Sequence, residues 1–210
     1  MSLPPTPPQP LGPPSLAPTM FESSRLRPML RGIARWGLRI NGWRVEGSLP
    51  VDAQRCVLIA APHTSNWDLP YTLMAAFALE LHARWMGKHT IFSWPFRTIM
   101  QWLGGIPVDR RQASNTVAAS IAALRGADRP LQLIVPPEGT RRRTRHWKTG
   151  FWHIAMGADV PIVLAYMDYE RKLCGLGPAL RPSGDIEADM RVIRAFYAPF
   201  KGRNADQFEA

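Results

Sequence analysis

The sequence has few of the residues that would build a disulfide-stabilised protein, and no long apolar run. Cys56 and Cys174 are its only cysteines, and they form no Cys-x-x-Cys pair. Their scarcity argues against a disulfide framework or a thiolate zinc site and favours a reducing compartment. The longest apolar stretch, residues 69–86, is interrupted by Glu80 and Arg84, so we expect no membrane-spanning helix.

Acidic residues are also few compared with basic ones. The chain has 16 Asp and Glu against 26 Lys and Arg, for a net charge of +10. Such a surface attracts anions, whether phosphates of lipids, of nucleotides or of nucleic acid. Its 210 residues and hydrophobic fraction of 46% indicate a single globular domain with extensions.

The N-terminal residues lack the basic start and apolar centre of a secretion signal, and proline dominates them. We therefore predict a disordered, proline-rich tail over residues 1–20. An amphipathic helix is predicted within residues 21–44, and the remaining domain is predicted over residues 45–205.

The predicted helix has an apolar side and a basic side. At about 100° per residue, one side carries apolar residues and glycine and the opposite side carries arginines, with Trp36 near the boundary. The first set is Leu26, Leu30, Ile33, Gly37 and Ile40, and the second is Arg27, Arg31, Arg35 and Arg39. Two interpretations stay open: the helix lies in a membrane interface, or its apolar side packs on the domain.

Beyond this helix, short apolar runs alternate with helical patterns, which predicts an α/β fold: a single domain with a mostly parallel central sheet flanked by helices. Strands are predicted at 56–61, 89–93, 104–109, 131–135 and 160–168. Helices are predicted at 66–84, 95–103, 113–126 and 147–157, and a last amphipathic helix is expected after a cap near Asp185.

The segment "PHTSNWD" follows the first of these strands and contains His63 and Asp68. Ser65 is a good N-cap residue, which would make Asp68 the third residue of the next helix and bring it near His63 in the loop. An aspartate beside a histidine fixes its tautomer and stabilises the imidazolium that forms when the histidine accepts a proton. The same pattern also fits a helix cap with no catalytic role.

The segment 135–151 follows a second buried strand and is rich in cations. Glu138, Gly139 and Thr140 form a turn that lets the backbone approach a ligand at the strand end. A guanidinium group can bind two phosphate oxygens at once, so this segment is a candidate anion site. Its cations are Arg141, Arg142, Arg143, Arg145 and Lys148. A solvated basic loop is the alternative interpretation.

Together with "GGIPVDRR" at residues 104–111, these segments resemble the ordered blocks of the lysophospholipid and glycerol-phosphate acyltransferases. The His-x4-Asp block matches His63 and Asp68, and the glycine-rich block matches "GGIPVDRR", with Arg110 as its arginine. The Glu-Gly-Thr-Arg block matches residues 138–141, and Pro161 lies in the counterpart of the last block. The segment around Lys88 is similar to a lysine-containing segment of the family.

The resemblance implies that His63, oriented by Asp68, acts as general base on a lipid hydroxyl that attacks the thioester of acyl-CoA or acyl carrier protein. It implies a lysolipid acceptor whose phosphate is held by Lys88, Arg110 and Arg141, with Glu138, Gly139 and Thr140 shaping the pocket. No metal and no cofactor are expected. We expect a peripheral protein on the cytoplasmic face of a membrane, with membrane lipids and an acyl donor as partners.

Other functions stay open at this point. An aminolipid or another polar lipid could be the acceptor, and water as acceptor would give a thioesterase. The positive charge also fits a non-enzymatic nucleic-acid or membrane-binding protein, although no recognition helix or RNA-binding signature is present and no nucleic-acid partner is expected.

Overall fold

The computed structural model describes residues 18–108 and 113–210. Its centre is a seven-stranded sheet in the order β1-β7-β6-β2-β5-β3-β4. The strands are β1 Arg44–Glu46, β2 Arg55–Ala61, β3 Ala83–Lys88, β4 Gly105–Val108, β5 Leu131–Val135, β6 Ile162–Asp168 and β7 Leu173–Leu180. The helices are α1 Leu26–Ile40, α2 Asp68–Ala78, α3 Arg97–Trp102, α4 Ala113–Arg125, α5 Gly150–Ala158 and α6 Ile186–Tyr197.

Strands β6, β2, β5, β3 and β4 are parallel to one another. Strand β7 is antiparallel to β6, and the short β1 is parallel to β7. The predicted α/β fold with a mostly parallel sheet is therefore confirmed. Because carboxyl ends of adjacent parallel strands meet at one edge, the segments after β2, β5 and β3 lie side by side.

Side chains alternate along β2 and divide the core between the two faces of the sheet. Val57 and Ile59 face a core shared with α4, α5 and α6. Cys56 and Leu58 face a core shared with α1, α2 and residues 89–103. We call the first side of the sheet the α4–α6 face, and the elements on the other side, α1, α2 and residues 89–103, the α1–α2 layer.

The predicted helix over 66–84 is too long, and the predicted strand at 89–93 is wrong. Helix α2 ends at Ala78, β3 occupies 83–88, and His89–Phe92 form a single 3-10 turn. Arg84 concealed the strand because a charged residue is unusual in a buried strand, but it is 5% exposed and donates to Glu22 at 2.8 Å. The N-terminal segment thus supplies the partner that makes this strand possible.

Two further strands were missed by the sequence analysis. Strand β1 is only three residues long, and β7 contains glycines and a proline, which are depleted in strands. A Cβ at Gly175 would lie 2.3 Å from the Glu46 carbonyl oxygen, so this glycine allows the close approach of β1. Strand β5 has the predicted bounds, and the remaining predicted elements are present with shifted bounds. The Asp185 carboxylate caps α6 by accepting from Glu187 N and Ala188 N.

The ends of the chain contribute more to the core than predicted. Met20, assigned to the tail, is buried, and Phe21 stacks on Phe77 with ring centroids 4.5 Å apart. Phe208, beyond the predicted domain, packs against the core on the α4–α6 face. The part of the predicted tail at residues 1–17 lies outside the described residues.

Helix α1 is confirmed, but its packed face differs from the predicted one. Ala34 and Leu38 are buried, whereas Ile33 remains 57% exposed and Trp36 65% exposed. The face turned toward the domain also includes the partly buried Leu30, and Arg27 reaches the turn after α2, where it bonds the Glu80 carbonyl oxygen. The helix therefore packs without covering most of its large apolar residues. In the part of the chain that the structure describes, no helix is long and apolar enough to cross a membrane.

Candidate active site

His63 and Asp68 are in direct contact at the carboxyl end of β2. His63 Nδ1 lies 3.0 Å from Asp68 Oδ2, and the aspartate side chain is 5% exposed whereas the histidine side chain is 29% exposed. With Nδ1 occupied by the carboxylate, a neutral ring carries its free lone pair on Nε2. The pair therefore has the geometry of an oriented general base.

The helix does not begin where the sequence predicted. Ser65 is not the N-cap residue, because α2 begins at Asp68 and Trp67 precedes it. The Asp68 carboxylate instead accepts from the backbone N–H groups of Thr64 and Ser65, each at 2.8 Å. Asp68 thus fixes the loop that carries His63 and orients the imidazole with the same oxygen.

Glu138 joins the second motif loop to this pair, 75 residues away in sequence. It follows β5, which is the neighbour of β2, and its Oε1 accepts from the His63 backbone N–H at 2.9 Å. Its Oε2 is buried and has no hydrogen-bond partner among the residues that the structure describes. Burial raises the pKa of Glu138 to about 7, against the opposing effect of the His63 N–H bond.

The turn after Glu138 has the geometry that the sequence predicted. Gly139 adopts a φ of +64°, a conformation that favours glycine, and its N–H donates to the Pro136 carbonyl oxygen at 3.2 Å. The Thr140 hydroxyl accepts from Arg142 N at 3.2 Å. The turn directs Glu138 inward, while the arginines that follow remain exposed.

Two of the three predicted phosphate contacts, Lys88 and Arg141, lie at the same edge of the sheet. Lys88 is the last residue of β3, and Arg141 follows the Glu138 turn; both are exposed. Neither side chain has a hydrogen bond or ion pair with another described residue, so both cations are available to a ligand. Arg110, two residues after β4, lies outside the described residues.

Two other arginines of the loop are already paired. Glu209 lies 2.9 Å from Arg143 Nε and 3.2 Å from Arg145 Nε. These arginines lower the pKa of Glu209, with the Arg143 hydrogen bond as the main cause. Fewer cations of this loop are therefore available to an anion than the five that the sequence indicated.

An apolar cavity adjoins His63 and Asp68. It lies between α2 and the sheet, and its walls are mainly small and aliphatic, including Leu58, Ala76 and Ile134. An apolar space beside a base suits a substrate with a hydrocarbon chain. No cluster of three or more His, Cys, Asp or Glu that could hold a metal ion is found within residues 18–108 and 113–210.

Sequence reasoning missed the residues that hold these loops from the C-terminal side. The Tyr169 hydroxyl donates to Asp68 Oδ1 at 2.8 Å, and the Asn204 side-chain amide donates to the Thr64 carbonyl oxygen at 2.8 Å. Gln207 accepts from Arg143 N at 3.1 Å. No local pattern marks these residues, because each acts through a contact distant in sequence.

Comparison with known proteins agrees with this geometry. A family model described as Acyltransferase matches residues 42–167. The chain is 32% identical over 188 residues to a 1-acyl-sn-glycerol-3-phosphate acyltransferase of Haemophilus influenzae, covering 78% of this chain and 76% of that protein. It is 32% identical over 131 residues to the Salmonella typhimurium protein of the same name, covering 58% of this chain and 51% of the relative.

The chain thus spans about three quarters of the first relative and about half of the second. A solved structure is also similar: the 1-acyl-sn-glycerophosphate acyltransferase of Thermotoga maritima, with a TM-score of 0.57 and 16% identity. The match covers 88% of this chain and 81% of that one, and it shows the shared fold. On the family match and the Haemophilus relative, this chain belongs to the acyltransferase family.

Proposed function

We propose that this protein is an O-acyltransferase that moves a fatty acyl group from acyl-CoA or acyl carrier protein to a lysophospholipid resembling 1-acylglycerol-3-phosphate. The observation that carries the proposal is the His63–Asp68 pair, with Nδ1 and Oδ2 3.0 Å apart beside an apolar cavity. The relatives' names give the acceptor class. Such a reaction serves phospholipid synthesis or remodelling.

In this reaction the acceptor hydroxyl attacks the thioester carbonyl carbon while its proton passes to His63 Nε2. Asp68 stabilises the imidazolium that forms. The carbon–sulfur bond then breaks, and the imidazolium proton goes to the departing thiolate. The products are a new oxygen ester and a free thiol, and the proton balance requires neither a metal nor a cofactor.

The exposed cations are proposed to position the acceptor. Lys88 and Arg141 lie along one edge with His63, so a phosphate bound there would bring a hydroxyl of the same molecule toward the base. Arg110 is proposed as a third contact of the phosphate. The apolar cavity is proposed to take an acyl chain, since its lining is largely aliphatic.

A lipid surface is the proposed location of the enzyme. Five large apolar residues of α1 are exposed, and they fall on one side of the helix: Leu26, Met29, Ile33, Trp36 and Ile40. Exposed Arg35 and Arg39 lie beside this stripe, where they would meet anionic headgroups. These features support peripheral association with the cytoplasmic face of a membrane.

A second apolar segment belongs to the same layer. Between β3 and β4, exposed residues include Ile91, Trp94, Phe96, Ile99 and Trp102. The segment packs through Phe92 and Met100 on the core that also holds α1, and it begins at the edge of the sheet where the site lies. A membrane bound by this layer would present lipid close to His63. We propose no nucleic-acid partner.

The test is an acyl-transfer assay with purified protein, labelled acyl-CoA or acyl carrier protein, and a panel of acceptors analysed by mass. The panel contains 1-acylglycerol-3-phosphate, other lysophospholipids and an aminolipid. We expect His63→Ala to lower kcat by at least about 100-fold, the contribution of a general base. His153→Ala is the matched control, because His153 is exposed on α5 outside the site.

Thermal unfolding of both variants should resemble that of the wild type. Full activity of a folded His63→Ala protein would refute the mechanism. Transfer to none of the acceptors from either donor would refute the proposed activity, and release of free fatty acid alone would indicate a thioesterase.

A further inference from the structure

The two carboxylate oxygens of Asp68 accept different numbers of hydrogen bonds. Oδ2 accepts from Thr64 N and Ser65 N at 2.8 Å and lies 3.0 Å from His63 Nδ1. Oδ1 accepts from the Tyr169 hydroxyl at 2.8 Å, which is its one donor among the described residues. The Tyr169 bond is thus the contact that fixes Oδ1, while the other three contacts fix Oδ2.

Tyr169 is itself held rigidly. Its backbone N–H donates to the Lys201 carbonyl oxygen at 2.9 Å. Its ring packs edge-on against Trp43, with centroids 4.9 Å apart, and against Tyr71, with centroids 6.0 Å apart. These contacts hold the ring in the position from which its hydroxyl donates to Asp68.

The turn that carries Tyr169 is also fixed. Asp168, the last residue of β6, accepts from Glu170 N at 3.0 Å and from Arg171 N at 3.1 Å. It further pairs with Arg171 Nε at 2.7 Å. Burial and the nearby Asp68 charge raise the pKa of Tyr169, so its hydroxyl remains protonated and able to donate.

We propose that Tyr169 is a positioning residue for the reaction, acting through Asp68 on His63. Its hydroxyl fixes Oδ1, so that Oδ2 keeps its three contacts and holds the imidazole toward the substrate. Tyr169 lies two residues beyond the segment that matches the family model. The expected kinetic effect of Tyr169 rests on the proposed function. The contact between Tyr169 and Asp68 does not depend on that function.

Tyr169→Phe tests this role because it removes the hydroxyl and keeps the ring. We expect kcat to fall about tenfold, the effect of losing one hydrogen bond to a charged group, with the KM of both substrates unchanged. Tyr71→Phe is the matched control. It removes a hydroxyl from the same aromatic cluster, and that hydroxyl bonds no other residue in the described part of the chain.

A measurement independent of the reaction accompanies the kinetics. In protein labelled with ¹³C-histidine, the His63 ring resonance, assigned from its absence in His63→Gln, should move in Tyr169→Phe and stay in place in Tyr71→Phe. Unchanged kcat in Tyr169→Phe, or equal effects of the two substitutions on kcat and on the resonance, would overturn the proposal. If the wild type transfers no acyl group, the proposed function fails and the resonance alone decides the role of Tyr169.

Discussion

Replacing Glu138 by glutamine removes the charge of a buried carboxyl while nearly preserving its shape. The residue is 5% exposed, and its Oε1 accepts the His63 backbone N–H at 2.9 Å. The glutamine carbonyl oxygen can accept the same bond. The variant therefore isolates the effect of ionising this side chain on stability.

The magnitude follows from the pKa of Glu138, which burial raises from 4.5 to about 7 in the folded protein. A carboxyl with a higher pKa in the folded than in the unfolded state binds its proton more tightly when folded. The resulting stability is fully present below about pH 4.5 and is lost as the pH rises through about 7. At about 1.4 kcal/mol per pH unit, ionised Glu138 costs about 3 kcal/mol at alkaline pH.

Urea unfolding of the wild type and Glu138→Gln, followed between about pH 4.5 and about pH 8, measures this cost. The free energies of unfolding should differ least at the acidic end. The variant should gain stability relative to the wild type as the pH rises, by about 3 kcal/mol at the alkaline end. Titrating groups remote from Glu138 are common to both proteins and cancel in the difference. A difference that is constant with pH would refute the reasoning.

Two further predictions concern the core and the exposed stripe of α1. Tyr197→Phe should lower the free energy of unfolding by about 1–2 kcal/mol in urea titrations, because the buried hydroxyl lies 2.8 Å from carbonyl oxygens of both β2 and β6. An unchanged midpoint and slope of the urea unfolding curve would contradict this prediction. Ile33→Ser with Trp36→Ser should weaken sedimentation with anionic vesicles at least about tenfold, since both side chains are largely exposed apolar area. Val192→Ser, on the other side of the sheet, should bind like the wild type, and equal losses would contradict docking through α1.

The C-terminal segment connects the two motif loops of the site. Asn204 contacts the loop of His63, and Glu209 contacts the arginines that follow Glu138. Trp147 donates to the Glu209 carbonyl oxygen at 3.1 Å and belongs to the core of the α4–α6 face. The segment after α6 therefore couples the geometry of both loops to the packed domain.

Local sequence information was sufficient for much of the architecture. Short apolar runs that alternate with helical patterns predicted an α/β layer fold, and Asp185 correctly marked the start of α6. It failed at β3, where Arg84 interrupts the apolar pattern and is neutralised by Glu22 from the segment before α1. It failed at β7 because glycine and proline conceal a strand that is specified by its neighbours.

The sequence by itself determined the residue types of the site and their order, and it predicted that Asp68 lies near His63 after a strand. Only the tertiary structure showed that Glu138 holds the backbone of His63 and that Tyr169 holds Asp68. It also showed that α1 packs through Ala34 and Leu38 and leaves Ile33 and Trp36 exposed. The physical reason is distance along the chain: the Tyr169–Asp68 bond joins residues 101 positions apart, and the sheet order alone brings them together.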